Sequence, residues 1–279
     1  MATATRGDIW FLLEYPYRWG AKAFDESELP ETVKAHLNTA EHPDLKLRIQ
    51  MVRQGESLQR DEIHFFVAQP CLDQPRIDQY VLNDYQDLLK LDLKALAAGQ
   101  AGPPANLREE PLFLVCTNGK RDLCCARYGP ALYQAMQAAG GEAVWQSSHI
   151  GGHNKAPVNL FFPHGVHYGQ ITPEEVGDVM EAFRQDRLVL DHYRGRVCFE
   201  PHLQAAEHLW REQSGVRSLP GMKFGAAQQI QGNAWRVEIE AADGSREVID
   251  LERELSDFEI PVTCAGDKTS PIATYRLKR

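Results

Sequence analysis

Between residues 112 and 187 the sequence runs through short apolar stretches and helix-like segments in one order, and that order limits the folds open to it. Residues 112–115 are a buried-type apolar run, and residues 130–139 have helical composition. Residues 143–147 and 158–162 read as strands, and Pro163-His164-Gly165 turns the chain back through 166–169. Thr172-Pro173-Glu174-Glu175 then offers a capping residue, a proline at the first helical position and a glutamate placed for a capping box. The spacing predicts a helix reaching to about Arg187.

Strand, helix, strand, hairpin, helix is the thioredoxin-like order, so an α/β fold is expected. The first hundred residues follow it in outline. Residues 9–13 read as a strand, a helix follows Leu29-Pro30, and Leu45, Leu47, Ile49 and Met51 alternate with polar residues. Residues 63–68 make another strand, and Tyr85, Leu88, Leu89 and Leu96 share one helix face within 84–97. That similarity suggests a degenerate duplication. Residues 99–106, with Pro103-Pro104 and two glycines, read as a linker. The expected organisation is an amino-terminal α/β unit over 1–105, a thioredoxin-like unit over 106–190 and a small α+β extension over 191–279. The last comprises a helix at 203–213 and a hairpin of 235–240 with 246–251 through Asp243-Gly244; beyond Glu254 no periodicity is evident.

Charge narrows the function classes. The 30 Lys plus Arg face 39 Asp plus Glu, a formal net charge of −9 that disfavours nucleic acid. No apolar stretch is long enough for a membrane, and residues 1–7 lack the apolar core of a signal peptide, so a cytoplasmic location is expected. Six cysteines scattered over 279 residues do not make a secreted disulfide framework and should serve as thiols, ligands or redox groups.

Cys116 directly follows the strand at 112–115, so it stands at a strand's carboxyl end, where open α/β sheets place ligands. Cys125 comes after the loop 117–124, just before a helix that Pro130 helps to start, where exposed amides favour a thiolate. His149 and His153 lie in Ser148-His149-Ile150-Gly151-Gly152-His153. Each glycine there disfavours helix by about 1 kcal/mol relative to alanine, so a loop at the same sheet edge is expected. Buried cysteines commonly pack as small hydrophobes, and ten histidines make some short spacings inevitable. It is the joint placement of both pairs that argues for a four-ligand metal site. Zinc accepts such donors, although structural zinc favours two to four residues between its cysteines. A [2Fe–2S] cluster, with ligands spread over two irons, suits a longer loop. Spacing leaves both open.

The stretch Cys116-Thr117-Asn118-Gly119-Lys120-Arg121-Asp122 with Cys124-Cys125, and the stretch 148–153, resemble the sucrase/ferredoxin-like family, a branch of the thioredoxin-like ferredoxins. The resemblance extends to residues 10–20, Phe162-Pro163-His164-Gly165, Tyr168-Gly169, Tyr193-Arg194-Gly195-Arg196 and Ala205-Ala206-Glu207-His208. It implies a [2Fe–2S] cluster held by Cys116, Cys125, His149 and His153, and it favours Cys125 over the neighbouring Cys124. An electron carrier working with a protein redox partner, without membrane or nucleic acid, is then expected. Two thiolates and two neutral imidazoles leave the oxidised core uncharged, whereas four thiolates would make it a dianion. Histidine ligation of one iron raises Rieske potentials to about −150 to +300 mV, against about −400 mV for plant-type ferredoxins. Electron uptake should couple to protonation of a ligand imidazole.

Two rival readings are a thioredoxin-like thiol–disulfide oxidoreductase, for which Cys124-Cys125 lacks the usual two-residue gap, and a structural zinc protein with a binding role. Lys120, Arg121, Arg194 and Arg196 are candidates for tuning the cluster or docking a partner, with solvated surface the stronger expectation for each; His164 and His167 are expected at an exposed turn, and Cys71, Cys198 and Cys264 as structural thiols.

Overall fold

Ile9–Glu14 (β1) shows how the large sheet is built. All six of its residues are buried, with Ile9, Phe11 and Leu13 entering one core and Trp10 and Leu12 another. A strand apolar on both faces belongs inside a sheet covered on both sides. The computed structural model describes residues 2–278 apart from Glu56, Leu72, Asp73, His153, Asn154, Thr263, Cys264, Ala265 and Asp267.

The strand β1 runs parallel to Leu47–Arg53 (β2), through the helix Glu31–Asn38 (α1), and antiparallel to Ile63–Gln69 (β3), which pairs with Arg76–Leu82 (β4). A 3-10 segment at Tyr85–Lys90 and the helix Leu93–Ala97 (α2) follow. Leu112–Cys116 (β5) repeats the scheme. It is parallel to Val144–Ser147 (β6), through the helix Leu123–Gly140 (α3), and antiparallel to Val158–Phe162 (β7), which pairs with Val166–Gly169 (β8) ahead of the helix Val176–Arg184 (α4). Each half therefore has the thioredoxin-like order, second strand, first, third, fourth. With Tyr193–Arg196 (β9) at one edge they form a single nine-stranded sheet, β4-β3-β1-β2-β6-β5-β7-β8-β9.

The halves meet where Val52 pairs with Ser147 and Arg53 with Gln146, antiparallel. Phe11 pairs with Ile49 and Val67, as Phe113 pairs with Val144 and Phe161. Aligning these registers equates Val52 with Ser147, so a local two-fold axis passes through the seam, and it equates Glu14 with Cys116. Both carboxyl-terminal strand ends thus meet at the seam. The sheet curls strongly, because Trp10 on β1 packs edge-on against Phe162 on β7 at 5.7 Å between ring centroids although three strands intervene.

Several elements differ from the sequence reading. Helix α3 starts at Leu123, not Pro130, because the Asp122 carboxylate accepts from the Cys124 N–H at 2.9 Å and caps it there. Pro130 removes one intrahelical hydrogen bond without ending the helix. The helix expected over 84–97 is broken in two, since Asp92 caps a fresh start by accepting from the Ala95 N–H at 3.0 Å. The expected hairpin is present as Ala234–Ala241 and Arg246–Pro261, the middle of a four-stranded antiparallel sheet completed by Met222–Gln231 and Thr269–Leu277. These become β10 (Met222–Gln231), β11 (Ala234–Ala241), β12 (Arg246–Pro261) and β13 (Thr269–Leu277). Pro201–Ser214 (α5) covers one face through Ala205, Ala206, Leu209 and Trp210. No helix among the described residues is long and apolar enough to cross a membrane.

One buried carboxylate ties α5 to the large sheet. Glu207 accepts from the Tyr193 hydroxyl at 2.7 Å and pairs with Arg196 and Arg211, each at 3.0 Å. Arg196 is therefore not solvated surface, because its charge is needed beneath α5. Burial alone would raise the Glu207 carboxyl, but Arg196 and Arg211 outweigh it and hold its pKa below the ordinary value. Glu207→Gln leaves two buried guanidiniums poorly compensated and should cost on the order of 3–5 kcal/mol in urea unfolding. The stability that Glu207 confers is complete above an unfolded-state pKa of about 4.3 and is lost as pH falls through its lower folded-state value. Over that acid window the variant should lose less stability than the parent.

Candidate metal centre

The Cys116 Sγ, the Cys125 Sγ and a ring nitrogen of His149 lie within 4.8 Å of one another. Cys116 is the last residue of β5. Alternation sends it, with Leu112 and Leu114, into the core shared by both halves, where it is 1% exposed. Cys125 is the third residue of α3, equally buried, and reaches Cys116 because of what lies one turn further along. A Cβ on Gly129 would sit 2.2 Å from the Cys116 carbonyl oxygen. Only glycine lets the helix settle onto the strand end so closely, and Cys125, four residues earlier, shares that face.

The connecting loop is organised by Asn118. Its side-chain oxygen accepts from the backbone N–H groups of Lys120 at 3.2 Å and Arg121 at 3.3 Å, and its amide donates to the Gly20 carbonyl at 3.0 Å. The Cys125 thiol and the burial of Cys116 act oppositely on the Cys116 pKa. Hydrogen bonds from Cys125, His149 and the Asn118 N–H prevail and hold it well below the ordinary cysteine value. Cys125 is raised in turn, since its ionisation would place a second negative sulfur against the first. A cation supplied to the site would relieve that conflict.

His149 stands in the loop after β6, as expected, but strand β2 of the other half holds it there. The Ser148 N–H donates to the Met51 carbonyl at 2.8 Å, the Met51 N–H donates to Ser148 Oγ at 3.1 Å, and the Gln50 amide donates to the His149 carbonyl at 3.3 Å. The His149 Nδ1 lies 3.8 Å from Cys125 Sγ. The ring borders a cleft of about 360 Å³ between Ala21–Asp25, Gln50 and Arg121, so the centre has a solvent side.

Beneath the same loop lies Arg194. It is buried, against the expectation of a solvated side chain. Its guanidinium donates to the Thr3 carbonyl at 2.5 Å, Thr3 Oγ1 at 3.0 Å and the Gly151 carbonyl at 3.4 Å, and burial lowers its pKa to about 10. Gly152 has φ +71, and a Cβ there would come within 2.1 Å of Arg194 Nη2, so the loop can lie on the guanidinium only with glycine at this position. His167 is fully buried on β8, not exposed, with Arg194 Nη1 3.0 Å from Nε2 and the Thr5 N–H donating to Nδ1 at 3.1 Å. Burial, reinforced by Arg194, keeps its ring neutral.

Of the four expected ligands the structure brings together Cys116, Cys125 and His149; His153 lies outside the described residues. Cys124 lines a different cleft with Arg127, Tyr128 and Ala131, so Cys125 is the cysteine of the pair that faces the centre. Lys120 and Arg121 are exposed, as expected. His164 contacts Asp186 at 3.3 Å, away from the centre. Sequence reasoning missed Asn118, Gly129, Gln50, Ser148 and the strap at Thr3 and Thr5. Asn118-Gly119 carries a turn signal that could have marked the first.

A family model described as sucrase/ferredoxin-like matches residues 1–195. Curated relatives include the altered inheritance of mitochondria protein 32 of Meyerozyma guilliermondii, 30% identical over 99 residues, which are 32% of this chain and 35% of that one. The protein of the same name from Clavispora lusitaniae is 34% identical over 95 residues, 31% and 35% of the two chains. The aligned region spans about a third of the length of these relatives. A solved thioredoxin-like [2Fe–2S] ferredoxin from Aquifex aeolicus is 20% identical, with 31% of this chain and 91% of that one covered, at a TM-score of 0.27.

The close approach at Gly129 is directly testable. Gly129→Ala should lift α3 from β5, lower the unfolding temperature and reduce the metal bound per chain in elemental analysis. Gly177→Ala, on α4 with open space around it, should leave bound metal unchanged and match or exceed parental stability by up to about 1 kcal/mol.

Proposed function

The chain belongs to the sucrase/ferredoxin-like family, and from that membership and the donor set we propose that it is an electron carrier holding one [2Fe–2S] cluster through Cys116, Cys125, His149 and His153. The observation that carries this reading is the meeting of two thiol sulfurs and an imidazole nitrogen within 4.8 Å at a cleft open to solvent. Soft thiolates with imidazole fit iron–sulfur and zinc chemistry and argue against calcium or magnesium. When bound, the cluster supplies reversible one-electron chemistry.

The protein's own residues set the conditions for it. Cys116 and Cys125 supply negative charge inside the shared core, where water does not compete for them. His149 supplies a neutral donor on the solvent side. With Nδ1 turned toward Cys125, proton exchange with the cleft falls to Nε2. The buried Arg194 guanidinium beneath the loop adds fixed positive charge, which favours a more negative, reduced site. A protein redox partner would approach over the cleft bordered by Lys22, Asp25 and Arg121.

Anaerobic purification should give a coloured protein with iron and inorganic sulfide in equal amounts and, after reduction, an EPR signal from a one-electron state. Zinc without iron or sulfide would replace this reading with the structural-zinc one. A colourless, metal-free protein that reduces disulfides would make it a thiol oxidoreductase. In the loaded protein, His149→Cys with His153→Cys should lower the midpoint potential toward the plant-type value of about −400 mV and flatten its pH dependence. A potential that is unchanged and already independent of pH would overturn the ligand assignment.

A further inference from the structure

The two halves meet a second time, away from the β2–β6 seam. There the approach to β1, the turn after β3, the β7–β8 turn and the segment after β9 converge. The Gly7 N–H donates to the Val197 carbonyl at 2.9 Å, and the Val197 N–H donates to the Gly165 carbonyl at 2.9 Å. Gly165 has φ +63, and a Cβ on it would come within 2.6 Å of Val197 Cγ2 and 2.8 Å of Pro70 Cβ. Glycine is what lets these segments close, and two of them carry a cysteine next to the contact point, Cys71 after Pro70 and Cys198 after Val197.

Cys71 Sγ donates to Asp8 Oδ1 at 3.3 Å and Cys198 Sγ to the carbonyl of Pro70, the residue before Cys71, at 3.6 Å, so the two thiols lie close enough for each to influence the ionisation of the other. Both are reduced, and both line a cleft of about 360 Å³ with Pro75, His164, Phe199 and Lys223. Cys71 is exposed to solvent. Strand β1 separates the pair from the metal centre, since Asp8 precedes its first residue and Glu14 at its end reaches the seam.

We propose that Cys71 and Cys198 are a reversible dithiol–disulfide site, oxidised by small-molecule disulfides, that covalently clasps the two halves of the sheet. Cys198 lines the cleft, and the Arg196 guanidinium lies over the ring of the adjacent Phe199 at 4.5 Å, a positive charge that with the Cys71 thiol favours the thiolate at Cys198, so Cys198 is the attacking sulfur. Its thiolate displaces one thiolate from the small disulfide, forming a mixed disulfide. Cys71 then loses its proton and attacks the Cys198 sulfur, forming the internal bond and releasing the second thiolate. The two protein thiols are oxidised by two electrons, the small disulfide is reduced by two, and the two thiol protons end on the two released thiols.

The test uses the full chain, purified anaerobically and incubated with oxidised glutathione. Its mass should fall by two hydrogens with no lasting glutathione adduct, and proteolysis should yield a joined pair of peptides containing Cys71 and Cys198 that reductant separates. Cys71→Ser should instead keep one glutathione on Cys198. Stable adducts on the parent, bonding of either cysteine elsewhere, or no reaction at either would overturn the proposal. Gly165→Ala should slow closure of the internal bond at least about tenfold while adduct formation persists, because the added methyl wedges the segments apart. Closure at the parental rate would show that these contacts do not position the pair.

Discussion

Two residue pairs, Val52 with Ser147 and Arg53 with Gln146, join the halves of the nine-stranded sheet, and the candidate metal centre depends on that short seam. Because the pairing is antiparallel and involves only the carboxyl-terminal ends of β2 and β6, each half turns its functional edge toward the other. The loop bearing His149 therefore continues alongside β2, where Ser148 and Gln50 fix it, and the loop bearing Asn118 reaches Gly20. In an isolated thioredoxin-like unit that edge would face water. Here it faces protein on one side and a narrow cleft on the other.

Around this seam the geometry is set by backbone approaching backbone or buried charge. Gly129 lets α3 touch the end of β5, and Gly152 lets the histidine loop rest on Arg194. The amino-terminal strap at Thr3 and Thr5 completes the support by binding Arg194 and His167. Donors placed by packed backbone before any ligand arrives need little rearrangement to bind one, and the electron transfer proposed for the site would draw on the same placement.

The strands that define the topology were legible because burial on both faces writes itself into composition: residues 9–13 and 112–115 are uninterrupted apolar runs, and 158–162 is broken only by Asn159. The pairing of Cys116 with Cys125 and the loop character of 148–152 were legible from spacing and glycine content. What was hidden has physical causes. Strands β10 and β13 lie largely exposed and polar, so no alternation marks them. The true start of α3 rested on one aspartate cap that outweighed an eye-catching proline. Arg194, Arg196 and His167 look like surface residues in sequence, and only their distant partners, Thr3, Glu207 and Thr5, make burial tolerable.

The place of Glu14 in the first half bears on how many metal sites the seam can hold. Glu14 holds the position equivalent to Cys116, and Gln54, two residues past the seam pair as His149 is, joins it in binding Arg60, at 2.7 Å and 3.1 Å respectively. A guanidinium sits where a second centre would need its metal, and a carboxylate and an amide replace the sulfur and imidazole donors. The chain thus keeps two copies of one scaffold but, among the described residues, one seat with a donor set of two cysteines and a histidine, its twin plugged by an organic cation. Were the proposed cluster bound, a donor releasing electrons in pairs would meet one such centre at the seam of each chain and not two.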